Sequence, residues 1–238
     1  MQGGAPKFKL FINLLSQPAR MVLIFCELAK IPYEKTAIAL EKGEQKTEAF
    51  LKVNPNGVIP ALQSLEDPSF SVFESTAILR YINNTHQSQA QKFWPQNNLL
   101  VEEFFQYYHT RLRKITEHFR AAFLWSIQPD GPKMAQRYSK DVEAFTSEHL
   151  DTLGPAIHKF TSPNGTVTII DIVILCEVMQ LNSSGFPADK VPKEFKEVIV
   201  KKFAADAEAY KIVRDLHIVV EKMCAKRKYA YWLEKPAV

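Results

Sequence analysis

Phe8-Lys9-Leu10-Phe11-Ile12-Asn13-Leu14-Leu15-Ser16-Gln17-Pro18-Ala19-Arg20 is the stretch on which the fold turns. Phe8 to Asn13 reads as a β-strand, and Pro18 with the apolar positions Met21, Val22, Ile24, Phe25 and Leu28 reads as a helix that ends before Pro32. Outward from this unit, Tyr33 to Ala39 supplies a second strand, Thr47 to Val53 a short helix, and Ile59-Pro60-Ala61-Leu62 a third strand. The turn signal Glu66-Asp67-Pro68-Ser69 leads into a fourth strand, Phe70 to Phe73, after which Ser75 to Ile82 returns to helix. The order βαβαββα predicts an α/β domain with a mixed four-stranded sheet. A strand–helix–strand crossover gives a parallel pair, and the tight turn between strands three and four gives an antiparallel hairpin.

From Asn98 onward the texture changes to long stretches of 3.6-residue periodicity, predicting an all-helical second half. Pro129 to Pro132, Ser162 to Gly165 and Gly185 to Pro187 punctuate it into about five helices. Between the halves, residues 84–97 are polar and carry Phe93-Trp94, which reads as a linker with an aromatic anchor. The expected organisation is a sheet domain over 1–83, a linker over 84–97 and a helical domain over 98–238.

Composition excludes several classes. The chain has 238 residues, 46% hydrophobic and 24% charged, with 8 Gly and 14 Pro, so it resembles neither a disordered nor a collagenous sequence. The most apolar stretches, Met21 to Ala29 and Ile169 to Leu181, are broken by Glu27 and by Asp171 and Glu177, and both fall short of the ~18 residues of a membrane span. No basic-then-apolar leader opens the sequence, so a cytoplasmic location is expected, and the sequons at Asn83, Asn164 and Asn182 carry no weight without secretion. The net charge of +4 is spread evenly: residues 1–83 hold 9 Lys/Arg against 8 Asp/Glu, leaving 21 against 18 for the rest. Nucleic acid is therefore not an expected partner, and the Lys222, Lys226, Arg227, Lys228 cluster reads as a solvated helix face. Cys26, Cys176 and Cys224 form no CxxC pair and no disulfide framework, and no metal-ligand spacing is visible.

Chemistry concentrates where strands end and helices begin. Ser16 stands at such a junction, with Pro18 just inside the helix. A helix cap accounts for this serine, yet a hydroxyl has two acceptor sites and one proton, so it can cap and still direct its proton to an anion above the helix N-terminus. Pro60 opens a strand, where local sequence favours an ordinary trans proline. Phe73-Glu74-Ser75-Thr76 again sets an acid and hydroxyls at a helix start, where capping suffices as an account. Together the two junctions imply two helix N-termini approaching one sheet edge, an anion site that needs no Lys or Arg. Thr168-Ile169-Ile170-Asp171 has the spacing of an acidic capping box and reads as structural.

In this order and spacing, Leu14-Leu15-Ser16-Gln17-Pro18, Glu41-Lys42-Gly43-Glu44-Gln45-Lys46, Val53-Asn54-Pro55 with Ile59-Pro60-Ala61-Leu62, Glu74-Ser75 and Thr168-Ile169-Ile170-Asp171 resemble the glutathione transferases, most closely the theta class. The resemblance implies a thioredoxin-like N-terminal domain, a helical C-terminal domain, usually a homodimer, and a cis bond before Pro60. It implies that Ser16 hydrogen-bonds the glutathione sulfur, that the Ile59 backbone pairs with the cysteinyl unit, and that Glu74 and Ser75 hold the γ-glutamyl end. Gln45 and Lys46 fall at the glycyl carboxylate, where the neutral Gln45 departs from the family's pattern and weakens the expected contact. Arg113 matches an arginine near the active site on the first long helix of the second domain, although a solvated helix charge explains it as well.

The implied reaction is attack of the glutathione thiolate on a small hydrophobic electrophile, with glutathione as co-substrate, no metal, and reduction of organic hydroperoxides left open. A free thiol has a pKa of roughly 8.5, so half ionisation at neutral pH requires about 2 kcal/mol. A hydrogen bond to a charged acceptor supplies about 1.5–3 kcal/mol, and a helix N-terminus about 0.3–1 kcal/mol. One serine at a helix start therefore suffices. The electrophile pocket is expected between the domains, with Phe104, Tyr107, Tyr108 and Trp125 as candidate lining and Tyr229, Tyr231 and Trp232 in a closing segment. Two rivals stand beside this reading. A thiol–disulfide exchanger would need a cysteine where Ser16 stands, and Cys26 is ten residues further on. A non-enzymatic scaffold on the same fold could keep the Ser16, Pro60 and Glu74-Ser75 constellation by descent.

Overall fold

The computed structural model describes residues 4–116, 148–162, 164–183 and 188–223. Trp125, the Pro129–Pro132 and Gly185–Pro187 punctuation, Cys224, Lys226 to Lys228, Tyr229, Tyr231 and Trp232 lie outside the described residues, as does the side chain of Lys222. The chain divides into two units, Met1–Pro95 and Gln96–Val238.

The first unit is built on four strands, β1 (Phe8–Ile12), β2 (Glu34–Ala37), β3 (Ala61–Ser64) and β4 (Ser71–Phe73), in the order β2-β1-β3-β4. β1 pairs parallel with β2 and antiparallel with β3, and β3 pairs antiparallel with β4. This is the mixed, thioredoxin-like sheet that the element order predicts. Its strands are shorter than the apolar runs suggested: the second loses Tyr33, Ile38 and Ala39, and the third begins at Ala61 because Ile59 and Pro60 belong to the approach loop.

Helix α1 (Gln17–Leu28) buries almost every side chain, including Met21, Val22, Ile24 and Phe25, each 0% exposed. α2 (Glu48–Leu51) is a single turn, capped by the Thr47 hydroxyl accepting from the Phe50 amide. α3 (Ser75–Thr85) places Ile78, Leu79 and Ile82 in the core at the i, i+1, i+4 spacing of one helix face.

One expectation needs correction here, and one implied by the resemblance is met. The stretch read as a linker over 84–97 is mostly helical: α3 runs to Thr85, α4 covers Gln87–Ala90 and a 3₁₀ turn covers Gln91–Phe93. Phe93 and Trp94 are buried, and Trp94 meets Phe25 and the Arg80 guanidinium, so the aromatic anchor belongs to the first unit. Polar composition misled because one face of these turns stays wet while Ala90, Phe93 and Trp94 are covered. The Ile59–Pro60 bond is cis, as the family resemblance implies and against the trans form that local sequence alone favours. An X-Pro bond prefers trans by only about 0.5–1 kcal/mol, so the surrounding fold decides its isomer.

In the second unit the described elements are helical. α5 (Asn98–Tyr107) runs through a π turn (Tyr108–Leu112) into helix at 113–116, and is followed by α6 (Leu153–Phe160), α7 (Ile169–Ser183), a π-helical stretch (Phe195–Val200), α8 (Lys201–Ala205) and α9 (Ala207–Met223). α7 is buried on all sides, with Ile169, Ile170, Ile172, Val173, Ile174, Leu175 and Cys176 at 0% exposure, which makes it the central helix of its unit.

Candidate functional site

The sheet register gathers one edge. Phe11 pairs with Ala61 and Ala61 with Phe73, so the C-terminal end of β1, the start of β3 and the C-terminal end of β4 lie in one row across the sheet. The parallel partner β2 ends at the same edge. Ser16 follows β1, cis-Pro60 precedes β3, Glu74 and Ser75 follow β4, and the loop with Gln45 and Lys46 follows β2. Four connections from distant parts of the first unit thus open on one edge, and they carry the sequence-predicted residues of that unit.

Ser16 is the N-cap of α1: its backbone is extended (φ −77°, ψ 112°), and its Oγ accepts from the Ala19 amide at 3.4 Å. The contact is long and uses an acceptor site, leaving the hydroxyl proton uncommitted by the cap. The turn before it is braced from below. Asn13 Oδ1 accepts from the Leu15 amide at 2.9 Å, Asn13 Nδ2 donates to the Ile38 carbonyl at 2.9 Å, and the fully buried Arg20 donates through Nη1 to the Leu14 carbonyl at 2.7 Å. Ser16 itself is half-buried.

Asn54, 0% exposed, shapes the approach to Pro60. Its Nδ2 donates to the Val58 carbonyl at 2.6 Å, and its Oδ1 accepts from the Asn56 amide at 3.0 Å. Gly57 sits in the turn at φ +59°, and a Cβ there would come within 2.7 Å of Lys46 Nζ and 2.9 Å of the Gln45 carbonyl. The glycine therefore admits the Gln45-Lys46 segment against this loop. Lys46 Nζ donates to the Asn56 carbonyl at 3.2 Å. Gln45 is half-buried, and its amide oxygen is a buried acceptor without a hydrogen-bond partner, a group that a ligand's N–H can satisfy.

Glu74 occupies a left-handed backbone conformation, φ +69°, which costs a non-glycine residue about 1–3 kcal/mol. It stands at the N-cap of α3, yet its side chain makes no capping hydrogen bond and remains exposed. Capping, which looked a sufficient account from sequence, does not explain this acid. Ser75 beside it is buried, at 5% exposure.

Arg113 lies in the second unit, and its Nη1 is 3.5 Å from Glu177 Oε2. Its side chain keeps 17% exposure, so it is not the solvated helix charge that sequence allowed. Phe104 and Tyr108 are buried, at 0% and 1% exposure, and Tyr107 donates to the Thr152 carbonyl at 3.1 Å. The capping box is present: the Thr168 amide and hydroxyl both donate to Asp171 Oδ2 at 2.8 Å. Sequence reading missed its third member, the buried Lys202, whose Nζ lies 2.8 Å from Asp171 Oδ1. Cys26 is fully buried and burial pushes its thiol pKa far up, which suits a packed apolar residue and not a nucleophile.

Among the described residues no cluster of metal-ligating side chains occurs, and no helix is long and apolar enough to cross a membrane. Asn13, Asn54 and Glu177 were also missed as organisers. For Asn54 the signal was present in Asn54-Pro55-Asn56-Gly57, a turn sequence in which asparagine hydrogen-bonds the backbone two residues on.

Comparison with known proteins gives the same outline. Residues 6–84 match the family model described as the glutathione S-transferase N-terminal domain. Mouse glutathione S-transferase theta-1 is 36% identical over 189 residues, 75% of each chain, and the human theta-1 protein is 32% identical over 189 residues, 74% of each. Among solved structures, the apo form of human glutathione S-transferase T1-1 superposes with a TM-score of 0.74 at 26% identity, covering 92% of this chain and 91% of that one. With these relatives, and with a serine-capped helix, a cis-proline loop and a left-handed glutamate opening on one sheet edge, this chain belongs to the glutathione transferase family and is of the theta-class type.

Proposed function

We propose that this protein transfers glutathione, as its thiolate, to small hydrophobic electrophiles. The observation that carries the reading is Ser16, a hydroxyl at the N-terminus of α1 whose cap contact occupies only an acceptor site. The thiolate needs about 2 kcal/mol of stabilisation to be half ionised at neutral pH, and a charge-assisted hydrogen bond from Ser16 with the helix end supplies that amount. The serine keeps its own proton throughout and the thiol's proton passes to solvent water, so no general base from the protein is required. The sulfur's electron pair forms the new bond to carbon, and the leaving group departs with the pair it shared with that carbon.

The rest of the edge is assigned by the chemistry available. The Ile59 backbone before cis-Pro60 offers amide and carbonyl groups to the cysteinyl unit of glutathione. Glu74, held at its unusual φ with an uncapped carboxylate, meets the γ-glutamyl ammonium, and Ser75 its carboxylate. Lys46 supplies the cation for the glycyl carboxylate, and the neutral Gln45 beside it contributes a weaker contact. Arg113 is assigned, from its match to the family's arginine on the first long helix of the second domain, as the active-site cation of the helical unit. The protein is further read as a cytoplasmic homodimer, and reduction of organic hydroperoxides is an extension of the same thiolate chemistry.

The test is an ultraviolet difference titration of bound glutathione. The bound thiol should ionise at least one pH unit below free glutathione in the wild type and lose that shift in Ser16→Ala, with glutathione still bound. Unshifted ionisation in the wild type overturns the proposal. Glutathione binding without turnover of any alkyl halide, epoxide or hydroperoxide would favour the scaffold reading instead.

A further inference from the structure

α7 is apolar on every side and still carries two buried carboxylates. Asp171 is accounted for by the cap and by Lys202. Glu177, 1% exposed, caps nothing. Three side chains from one stretch of the α5 helix converge on it. The Thr116 hydroxyl donates to Oε1, Arg113 Nη1 stands 3.5 Å from Oε2, and Tyr108 acts on the same carboxylate in the direction that favours its ionised form. Tyr108 and Thr116 are each 1% exposed.

The π turn explains how these three come to share a face. In a regular α-helix, positions 108 and 113 stand about 140° apart around the axis. Here the Arg113 amide donates to the Tyr108 carbonyl, and the wider i to i+5 turn brings the two residues towards one side. Thr116, three positions further in regular helix, then falls on the side of Arg113.

Such an arrangement is a poor way to stabilise a fold. Burial pushes the Glu177 pKa up, and the Arg113 charge and the two hydroxyls only oppose that effect. Apolar residues of the same volume usually hold a buried site at least as well as an ion pair. What the carboxylate does achieve is geometric: one end of the pair is sealed, with Glu177 at 2% side-chain exposure, and the other, Arg113, extends to 17%.

We propose that Glu177 is a positioning residue which, with Tyr108 and Thr116 and through the π turn, fixes the guanidinium of Arg113 in its working orientation. The proposal rests on the assignment of Arg113 to the active site, and the test separates the two. Steady-state kcat and KM for glutathione and for an alkyl halide are measured in Arg113→Ala, Glu177→Gln and the double variant. A positioning role predicts that each single variant lowers kcat about tenfold with little change in the KM for glutathione, and that the double variant is no slower than Arg113→Ala. Glu177→Asp should recover part of the loss. Wild-type kcat in Glu177→Gln, or losses that multiply in the double variant, overturns the proposal while leaving Arg113 in place. Wild-type kcat in Arg113→Ala overturns the assignment of Arg113 and the proposal with it. Should Glu177→Gln fail to fold, Tyr108→Phe and Thr116→Val each remove one hydroxyl, and their kcat losses must likewise vanish in the Arg113→Ala background.

Discussion

At the sheet edge of the first unit, the groups around Ser16 are turns of backbone, one hydroxyl, and the exposed side chains of Lys46 and Glu74. In the helical unit, Asp171 and Glu177 are sealed among apolar side chains and matched to Lys202 and Arg113. The difference shows two ways of placing polar chemistry. The first unit positions its groups by the pairing of strands, with Glu74 held in a strained backbone conformation, and keeps the side chains of Lys46 and Glu74 accessible to a peptide-like ligand. The second unit positions its cations by burying their partners, which demands that every buried charge be matched. Substitutions should therefore act on turnover in the first unit and on stability in the second, with Glu177 crossing between them.

The largest effect is expected from Asp171→Ala, which strips the cap from α7 and leaves Lys202 buried and unpaired. Urea denaturation should register a loss of about 3–5 kcal/mol. A loss below about 1 kcal/mol would mean that the second unit tolerates unmatched charge and the contrast is false.

Next comes Ser16→Ala, where losing the hydrogen bond to the thiolate should lower kcat by about 10- to 150-fold, equivalent to about 1.5–3 kcal/mol. Ser16→Gly distinguishes cap from catalysis: glycine forfeits only a few tenths of a kcal/mol as an N-cap, so it should fold nearly as well as wild type and turn over as poorly as the alanine variant.

Gly57→Ala should be milder, with a backbone cost of about 1–2 kcal/mol at positive φ. Its Cβ also displaces Lys46, so the KM for glutathione should rise more than kcat falls. Equal effects on both would detach the loop from glutathione recognition.

The smallest effect is a pH slope. Because the folded pKa of Glu177 is raised, the native state holds more protons than the unfolded chain between the ordinary carboxylate range and that higher value. The contribution of Glu177 to stability is thus greatest at low pH and declines as pH rises through this window. Melting temperatures of Glu177→Gln measured against pH should lack that decline.

Much of the first unit was legible before any coordinates. Strand and turn signals placed all four strands within a few residues, and the two strand-to-helix junctions were found because proline and hydroxyl residues mark helix starts. The linker was misread because composition does not distinguish a wet helical turn from a coil. Glu177 was noticed only as an interruption of an apolar run. Its partners lie 61 and more residues away in sequence, and nothing local announces a π turn.

The sequence by itself determined the element types, the mixed sheet and the identity of Ser16 as a helix-start hydroxyl, because periodicity, proline placement and capping act over a few residues. The tertiary structure alone decided how the Gln45-Lys46 and Asn54–Pro60 loops are braced against each other, the left-handed turn at Glu74 and the matching of Glu177 with Arg113, while the cis isomer before Pro60 was implied by family resemblance and not by local chemistry. Those features depend on register between distant strands and on the desolvation of charges by packed neighbours, and neither quantity exists until the chain has folded.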